Sequence, residues 1–369
     1  MRIGIRISPL ASSMTGIPVY VHNILQELSN IDSENEYFLY TNKKIPFKLE
    51  LGNNFHTILV DKPYPKFQLW YQIGLPYRIK KDKLDLYHDT LFLLPFAVRK
   101  IPSIITIYDL SGLIMPEYHN LRVSITSKLI PSSIKRAKRI IAISEFTKNE
   151  IERLFPFAKG KIDVVLCGVN PNFHPIAKDK ISEIREKYKL PEKFIMFLGT
   201  IEPRKNLIGL LKAYSKIHKK IPHKLVIVGG KGWKYSNIFE TIETLQIKSD
   251  VIFTGFIPTE DLPAIYNAAD IFVYPSIYEG FGIPLLESMA SGTPVITSNI
   301  SSMPEVVGEA GVLFDPYSIE DIAEKIVMLA QDCSLRNILS EKGIERAKMF
   351  SWKKSAKKVL DIYKETIEE

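Results

Sequence analysis

Short apolar runs alternate with longer stretches of helical periodicity along this 369-residue chain, and the alternation starts afresh near its middle. In the first half the apolar runs are Ile3–Ile7, Tyr37–Tyr40, His56–Leu59, Leu86–His88, Ile104–Tyr108, Arg139–Ala142 and Asp163–Val165. Helical patterns fall between them, notably at Tyr20–Leu28 and Phe146–Leu154. The second half repeats the rhythm with Phe194–Leu198, Lys224–Val228, Val251–Thr254, Ile271–Tyr274, Pro294–Thr297 and Gly311–Phe314. Its helices are expected at about Asn206–His218, Tyr235–Leu245, Asp261–Asn267, Pro284–Ala290 and Ile319–Gln331. Strands buried on both faces read as continuous apolar runs, and crossover helices must link them when they are parallel. Two successive sets predict an α/β chain of two doubly wound, Rossmann-like domains, since 369 residues exceed what one hydrophobic core holds.

The boundary is expected within Gly168–Pro175, a stretch dense in Asn and Pro that follows a strand. The domains are then 1–170 and 171–350. Residues 351–369 form an amphipathic helix with Trp352, Ala356, Val359 and Tyr363 on one face, too late to wrap the second sheet. No window holds 18 consecutive apolar residues, and Met1 leads directly into a strand pattern with no signal-peptide layout. Cys167 and Cys333 stand far apart and suggest neither a disulfide framework nor a metal cluster. A cytoplasmic protein without metal or nucleic-acid partner is expected.

The net charge of +8 lies wholly in residues 1–170, and the remainder is neutral. A basic domain beside a neutral one suggests an anionic partner for the first only. Two segments could meet a lipid surface. Tyr64–Lys81 mixes Tyr64, Phe67, Trp70, Tyr71 and Tyr77 with Lys66, Arg78, Lys80 and Lys81. Arg122–Arg139 carries Lys128, Lys135, Arg136, Lys138 and Arg139. The competing reading packs Phe67, Trp70 and Tyr71 onto the sheet and leaves the cations solvated.

In a doubly wound domain, ligands bind beyond the carboxyl ends of the strands. Strand Phe194–Leu198 ends in Gly199-Thr200, then Glu202-Pro203-Arg204-Lys205-Asn206 and a helix. A helix start normally favours acids, so two cations there make sense if they share an anion, such as a diphosphate, with the helix dipole. Gly229-Gly230-Lys231-Gly232 follows the next strand but has neither dinucleotide nor P-loop spacing, and a tight turn fits equally well. After Ile271–Tyr274, Glu279 stands in a glycine loop and Glu287 in the helix that Pro284 opens. A loop Glu and a helix Glu can face one crevice.

These segments resemble glycosyltransferase family 4, whose members are retaining GT-B enzymes. The resemblance covers nearly the whole chain: Glu279 and Glu287 match its Glu-x7-Glu pair, and Gly199 to Asn206 its Gly-Thr-x-Glu-Pro-Arg-Lys-Asn segment. Thr15-Gly16-Ile17, Gly255-Phe256 and Met289 to Val295 follow in order. It implies a GT-B fold with two Rossmann-like domains facing across a cleft, the first for the acceptor, the second for a nucleotide-sugar. The last helix would cross back onto the first domain. Arg204 and Lys205 would hold the donor diphosphate, Glu287 the ribose hydroxyls, and Glu279 with the backbone of Phe281, Gly282 and Ile283 the transferred sugar. Gly16, Gly199, Thr200, Gly229 and Phe256 complete the implied donor site. The expected reaction moves a hexose, with mannose favoured, from a GDP- or UDP-linked donor to a glycan or lipid-linked glycan. It needs no cofactor, and the enzyme would sit peripherally at the inner membrane face.

One departure matters: the family usually has His where this chain has Tyr108. A phenol orients a sugar but is a poor base near neutral pH, and nearby His88 is the other candidate imidazole. A nucleotide-sugar epimerase or hydrolase on the same scaffold, or a non-catalytic nucleotide-sugar binder, are the competing functions.

Overall fold

The computed structural model describes residues 1–12, 14–60, 69–230, 232 and 236–368, in two compact units. The first comprises Met1–Gly168 with Ser351–Glu369, and the second Val169–Phe350. The Tyr64, Lys66 and Phe67 of the lipid expectation, Lys231 and the start of the helix expected from Tyr235 lie outside the described residues.

The first unit holds a parallel sheet of β1 (Arg2–Arg6), β2 (Glu36–Thr41), β3 (Phe55–Leu59), β4 (Leu86–Asp89), β5 (Ser103–Ile107), β6 (Arg139–Ala142) and β7 (Ile162–Val164). Their spatial order is β3-β2-β1-β4-β5-β6-β7. Its helices include α1 (Ile17–Ile31), α2 (Leu75–Lys81), α3 (Ser111–Ile114), α4 (Leu121–Ser127), α5 (Ile130–Arg136) and α6 (Glu145–Leu154). A π-helical turn, Trp70–Gly74, runs into α2. The inner faces of that turn, α2 and α5 close one core through Trp70, Tyr71, Leu75, Ile79, Ile130 and Ile134. Trp70 and Tyr71 therefore do not face lipid: they are 0% and 3% exposed, and packing onto the sheet won. Among the cations of the second segment, Arg139 is paired with Asp163 and Glu365, and Arg136 donates to the carbonyls of Leu94 and Pro95.

The second unit's parallel sheet is β8 (Phe194–Leu198), β9 (Lys224–Val228), β10 (Val251–Gly255), β11 (Ile271–Tyr274), β12 (Val295–Ser298) and β13 (Gly311–Phe314), ordered β10-β9-β8-β11-β12-β13. Around it lie α7 (Lys178–Tyr188), α8 (Leu207–Ser215), α9 (Ser236–Thr244), α10 (Leu262–Ala268), α11 (Ile283–Ala290), α12 (Met303–Val307), α13 (Ile319–Gln331) and α14 (Cys333–Ala347). In each sheet the chain builds outward on one side and then jumps to the other. The reversal falls between β1 and β4 in the first unit and between β8 and β11 in the second, and it is beyond the carboxyl ends at such a reversal that open α/β sheets bind ligands.

The last helix, α15 (Trp352–Glu368), belongs to the first unit. It buries Trp352, Ala356, Val359 and Tyr363, along with Leu360 and Ile362. Trp352 meets Tyr20 of α1 edge to face at 5.8 Å, and Ser355 Oγ donates to the carbonyl of Leu166. Among the described residues no helix is long and apolar enough to cross a membrane.

Candidate active site

The chemistry of the second unit concentrates where its sheet reverses. Beyond β8 the chain turns through Pro203–Lys205, and Asn206, at φ +54°, caps α8 while its amide donates to the carbonyl of Pro316. Beyond β11 runs the loop to Gly282, which caps α11. The two loops are stitched by the Ile277 N–H donating to the Arg204 carbonyl at 2.8 Å. This brings the adjacent Arg204 and Lys205 together with Glu279, 75 and 74 positions further on, into one buried cluster.

Lys205 Nζ lies 2.5 Å from Glu279 Oε1 and 2.6 Å from the Tyr274 hydroxyl. Arg204 reaches Glu279 Oε2 at 3.0 Å, the Tyr278 carbonyl at 3.1 Å and Glu202 Oε1 at 2.5 Å. The Glu279 N–H donates to Ser301 Oγ, and the hydroxyls of Ser301 and Ser302 donate back to the Glu279 carbonyl. Burial alone would raise the Glu279 carboxyl, but Arg204 and then Lys205 outweigh it and hold it down at about 2. Burial lowers Lys205, with the Glu279 charge opposing. Two cations and two carboxylates thus sit side by side, fixed in place and close to neutral overall. An incoming diphosphate would meet both cations already oriented.

Glu287, on α11, accepts a hydrogen bond from the Tyr266 hydroxyl of α10 at 3.0 Å. Burial raises its carboxyl to about 7, against the smaller opposing effect of that bond. Phe281 is buried and meets Phe350 edge to face. Ile283 opens α11, and Thr200 is exposed beside Gly199. Gly229 has a structural role: at φ +137° its Cβ would fall 2.1 Å from the Gly199 carbonyl oxygen. Only glycine lets these strand ends close, with Gly199 N–H bonded to Val228 and Gly229 N–H to Gly255. Just beyond β10, Phe256 stands 68% exposed, a flat apolar ring at a strand's carboxyl end.

Gly16 and Tyr108 belong to the first unit. Gly16, at φ +59° and ψ −113°, precedes α1 with open space where a side chain would be. Tyr108 follows β5 and is 5% exposed, its ring edge to face with Tyr20 and Phe92 and its hydroxyl without a hydrogen-bond partner. Burial raises that phenol well above its ordinary range, so it is no proton acceptor. His88 does not supply a free imidazole either. Its Nδ1 meets the Tyr363 hydroxyl at 2.7 Å and its Nε2 meets Thr106 Oγ1 at 2.8 Å, and burial lowers it to about 3, so it stays neutral.

Three groups were given no role by the sequence reading. Tyr274 and Glu202 complete the cation cluster, and Tyr266 steadies Glu287. Glu202 was visible within its segment, but the tyrosines lie in positions that read only as core. In the first unit Asp109, Ser111 and His119 form a chain: the Ser111 hydroxyl donates to Asp109 at 2.6 Å and lies 2.9 Å from His119 Nε2. Among the described residues no three His, Cys, Asp or Glu side chains gather as a metal site would need.

Residues 180–346 match the family model described as glycosyl transferases group 1, and residues 14–173 match glycosyltransferase family 4. The chain is 34% identical over 305 residues to the O-antigen chain mannosyltransferase B of Escherichia coli, covering 82% of this chain and 78% of that protein. The chain is a family 4 glycosyltransferase. Its fold agrees with solved GT-B structures. A sucrose-phosphate synthase from Thermosynechococcus elongatus superposes with a TM-score of 0.81 at 21% identity, over 99% of this chain and 98% of that one. Anabaena HepE, solved in complex with UDP and glucose, gives 0.76 at 17% identity over 98% of both chains. The glycosyltransferase is thus built on two parallel-sheet, Rossmann-like domains.

Proposed function

We propose that this glycosyltransferase transfers mannose, with retention, from GDP-mannose to a hydroxyl of a lipid-linked glycan in cell-envelope polysaccharide synthesis. The second unit is the donor domain, the first the acceptor domain. The observation that carries the donor assignment is the pairing of Arg204 and Lys205 with Glu279 at the sheet reversal. The choice of mannose and of an envelope glycan follows the relative that makes O-antigen chains.

In this reading the donor diphosphate takes the place beside Arg204 and Lys205 now held by Glu279. The two cations stabilise the charge that grows on the leaving diphosphate, which lets the site work without a metal or other cofactor. Glu279 positions the mannose, Glu287 accepts from the ribose diol, and the Phe256 ring stacks on the base. The bond from the sugar's anomeric carbon to the phosphate oxygen breaks, with its electron pair going to GDP. The acceptor oxygen bonds to the same face of that carbon, and its proton passes to a donor phosphate oxygen. Work in the cytoplasm, peripheral to the inner membrane face, follows from a lipid-borne acceptor.

The test is a melting-temperature panel of GDP, UDP and ADP with their sugars, followed by transfer to octyl α-mannoside and NMR of the new anomeric linkage. GDP-mannose should raise the melting temperature most, by preferential binding to the folded state, and the product should be the α-anomer. Turnover should survive excess EDTA and drop roughly 10²-fold in Arg204→Ala and in Lys205→Ala. A β-linked product refutes retention, and a preference for UDP-glucose refutes the donor.

A further inference from the structure

Seven large apolar side chains at least 40% exposed gather in one region of the first unit, on elements already joined by hydrogen bonds. Leu69, Ile73 and Tyr77 stand four residues apart along the helix that runs through the π-helical turn into α2. They form one stripe on the side opposite the buried Trp70, Leu75 and Ile79. Leu121, Ile125 and Leu129 repeat this spacing along α4 and the turn that follows it. The other side of α4 packs toward α3, where Ser127 and Val123 crowd Gly112. Phe96 joins the first helix to α5, the helix that follows α4 in the chain: its N–H donates to Gln72 of the first helix, and its ring lies 5.2 Å beneath the Arg136 guanidinium of α5. Leu94 N–H donates to Ser133 of the same helix.

The charge within these segments has one sign. Segments 69–81, 91–100 and 121–136 contain nine Lys and Arg and not a single Asp or Glu. Lys80, Lys81, Arg99, Lys100, Lys128 and Lys135 are exposed. A soluble protein rarely leaves this much apolar surface in one patch. Apolar stripes on helices lying along a surface, rimmed by cations, match the boundary between acyl chains and anionic headgroups. The apolar side chains enter the boundary while lysine stems reach back to the phosphates.

We propose that this face, the two stripes with Phe96 between them, docks the glycosyltransferase onto an anionic lipid surface. It deepens, and takes its purpose from, the reading of the acceptor as lipid-borne. It differs from the expectation raised by the sequence, because the tryptophan and tyrosine singled out there are core. Of the described aromatics named there only Tyr77 stays outside, and it is joined by Phe96 and by aliphatic side chains the sequence had not singled out.

The experiment is flotation with vesicles of phosphatidylcholine, with and without phosphatidylglycerol, at low and high salt. The wild type should float with the anionic vesicles and far less with the neutral ones. Leu121→Ser/Ile125→Ser should lower the partition coefficient roughly tenfold or more, given the transfer value of two large aliphatic side chains. Lys80→Glu/Lys81→Glu should abolish the preference for anionic lipid. Both variants change exposed positions and should keep the wild-type melting temperature, its rise with GDP, and turnover on octyl α-mannoside. Negligible wild-type flotation, or undiminished flotation of the apolar variant, overturns the proposal. So does a change from dimer to monomer in sedimentation with flotation unaltered, which assigns the face to a second copy. Flotation involves no transfer: if no mannoside is a substrate the acceptor reading fails alone, and the GDP-induced melting shift still reports the fold.

Discussion

Replacing Glu279 by Gln keeps the size of the side chain and removes the charge that balances Arg204 and Lys205. The carboxyl stands at about 2 in the folded protein against an ordinary 4.5, although burial works the other way. That difference corresponds to about 3 kcal/mol of preference for the charged form, in line with the ~3–5 kcal/mol cost of removing one partner from a buried pair. Because the folded value is depressed, this stabilisation is fully present above the ordinary value and is lost as pH falls from there through about 2. Glu279→Gln should therefore unfold in urea with a deficit of about 3 kcal/mol at neutral pH, shrinking below pH 4.5. The ligand response should run opposite. Without the resident carboxylate the pyrophosphate of GDP no longer competes for the two cations, so GDP should bind more tightly by calorimetry while kcat falls. Unchanged stability at neutral pH would refute the charge balance read from the geometry, and weaker GDP binding would refute the competition between Glu279 and the diphosphate.

Glu287 titrates near neutrality: its folded value of about 7 lies above the ordinary 4.5, so it costs stability progressively as pH rises through that window, a slope absent in Glu287→Gln. The ionised form accepts the ribose diol, so the donor KM should fall about tenfold between about pH 6 and about pH 8 in the wild type and stay flat in Glu287→Gln. Phe256→Ala should weaken GDP by about 1–3 kcal/mol in calorimetry, with little effect on the melting temperature of the free protein. Tyr108→Phe removes a buried hydroxyl that has no partner, and should leave thermal stability within about 0.5 kcal/mol of wild type or raise it. Retained turnover in that variant would show that the hydroxyl takes no part in transfer, and a large loss would show that it reaches the sugar.

The thirteen strands among the described residues were legible, mostly because a parallel sheet covered on both faces demands continuous apolar runs, and loops of glycine and proline bound them. Helices α7 and α14 were not read: seven of the eleven residues of α7 are charged, and each helix buries only a few side chains, so periodicity was faint. At the site, Arg204, Lys205 and Glu279 stood out because cations and acids at strand ends are chemically unusual there. Their mutual pairing was invisible, since it depends on β8 and β11 being neighbours in space while two strands separate them in sequence. Trp70 left two readings open for a related reason. An aromatic beside lysines reads alike whether it points outward or inward, and the π-helical turn at Trp70–Gly74 adds a residue that shifts which side faces the core.

The return of α15 onto the first unit sets an order of assembly. Every residue of the second unit is synthesised between Gly168 and Ser351, so its sheet can close while the first is still missing a helix. Until α15 arrives, the imidazole of His88 lacks the Tyr363 hydroxyl, and Tyr20 lacks the Trp352 ring. The N-terminal sheet, first to leave the ribosome, is thus last to be finished, and its apolar α1 face must stay shielded through the making of some 180 intervening residues. A nascent chain of this architecture is a natural client for a chaperone that holds one half while the other folds.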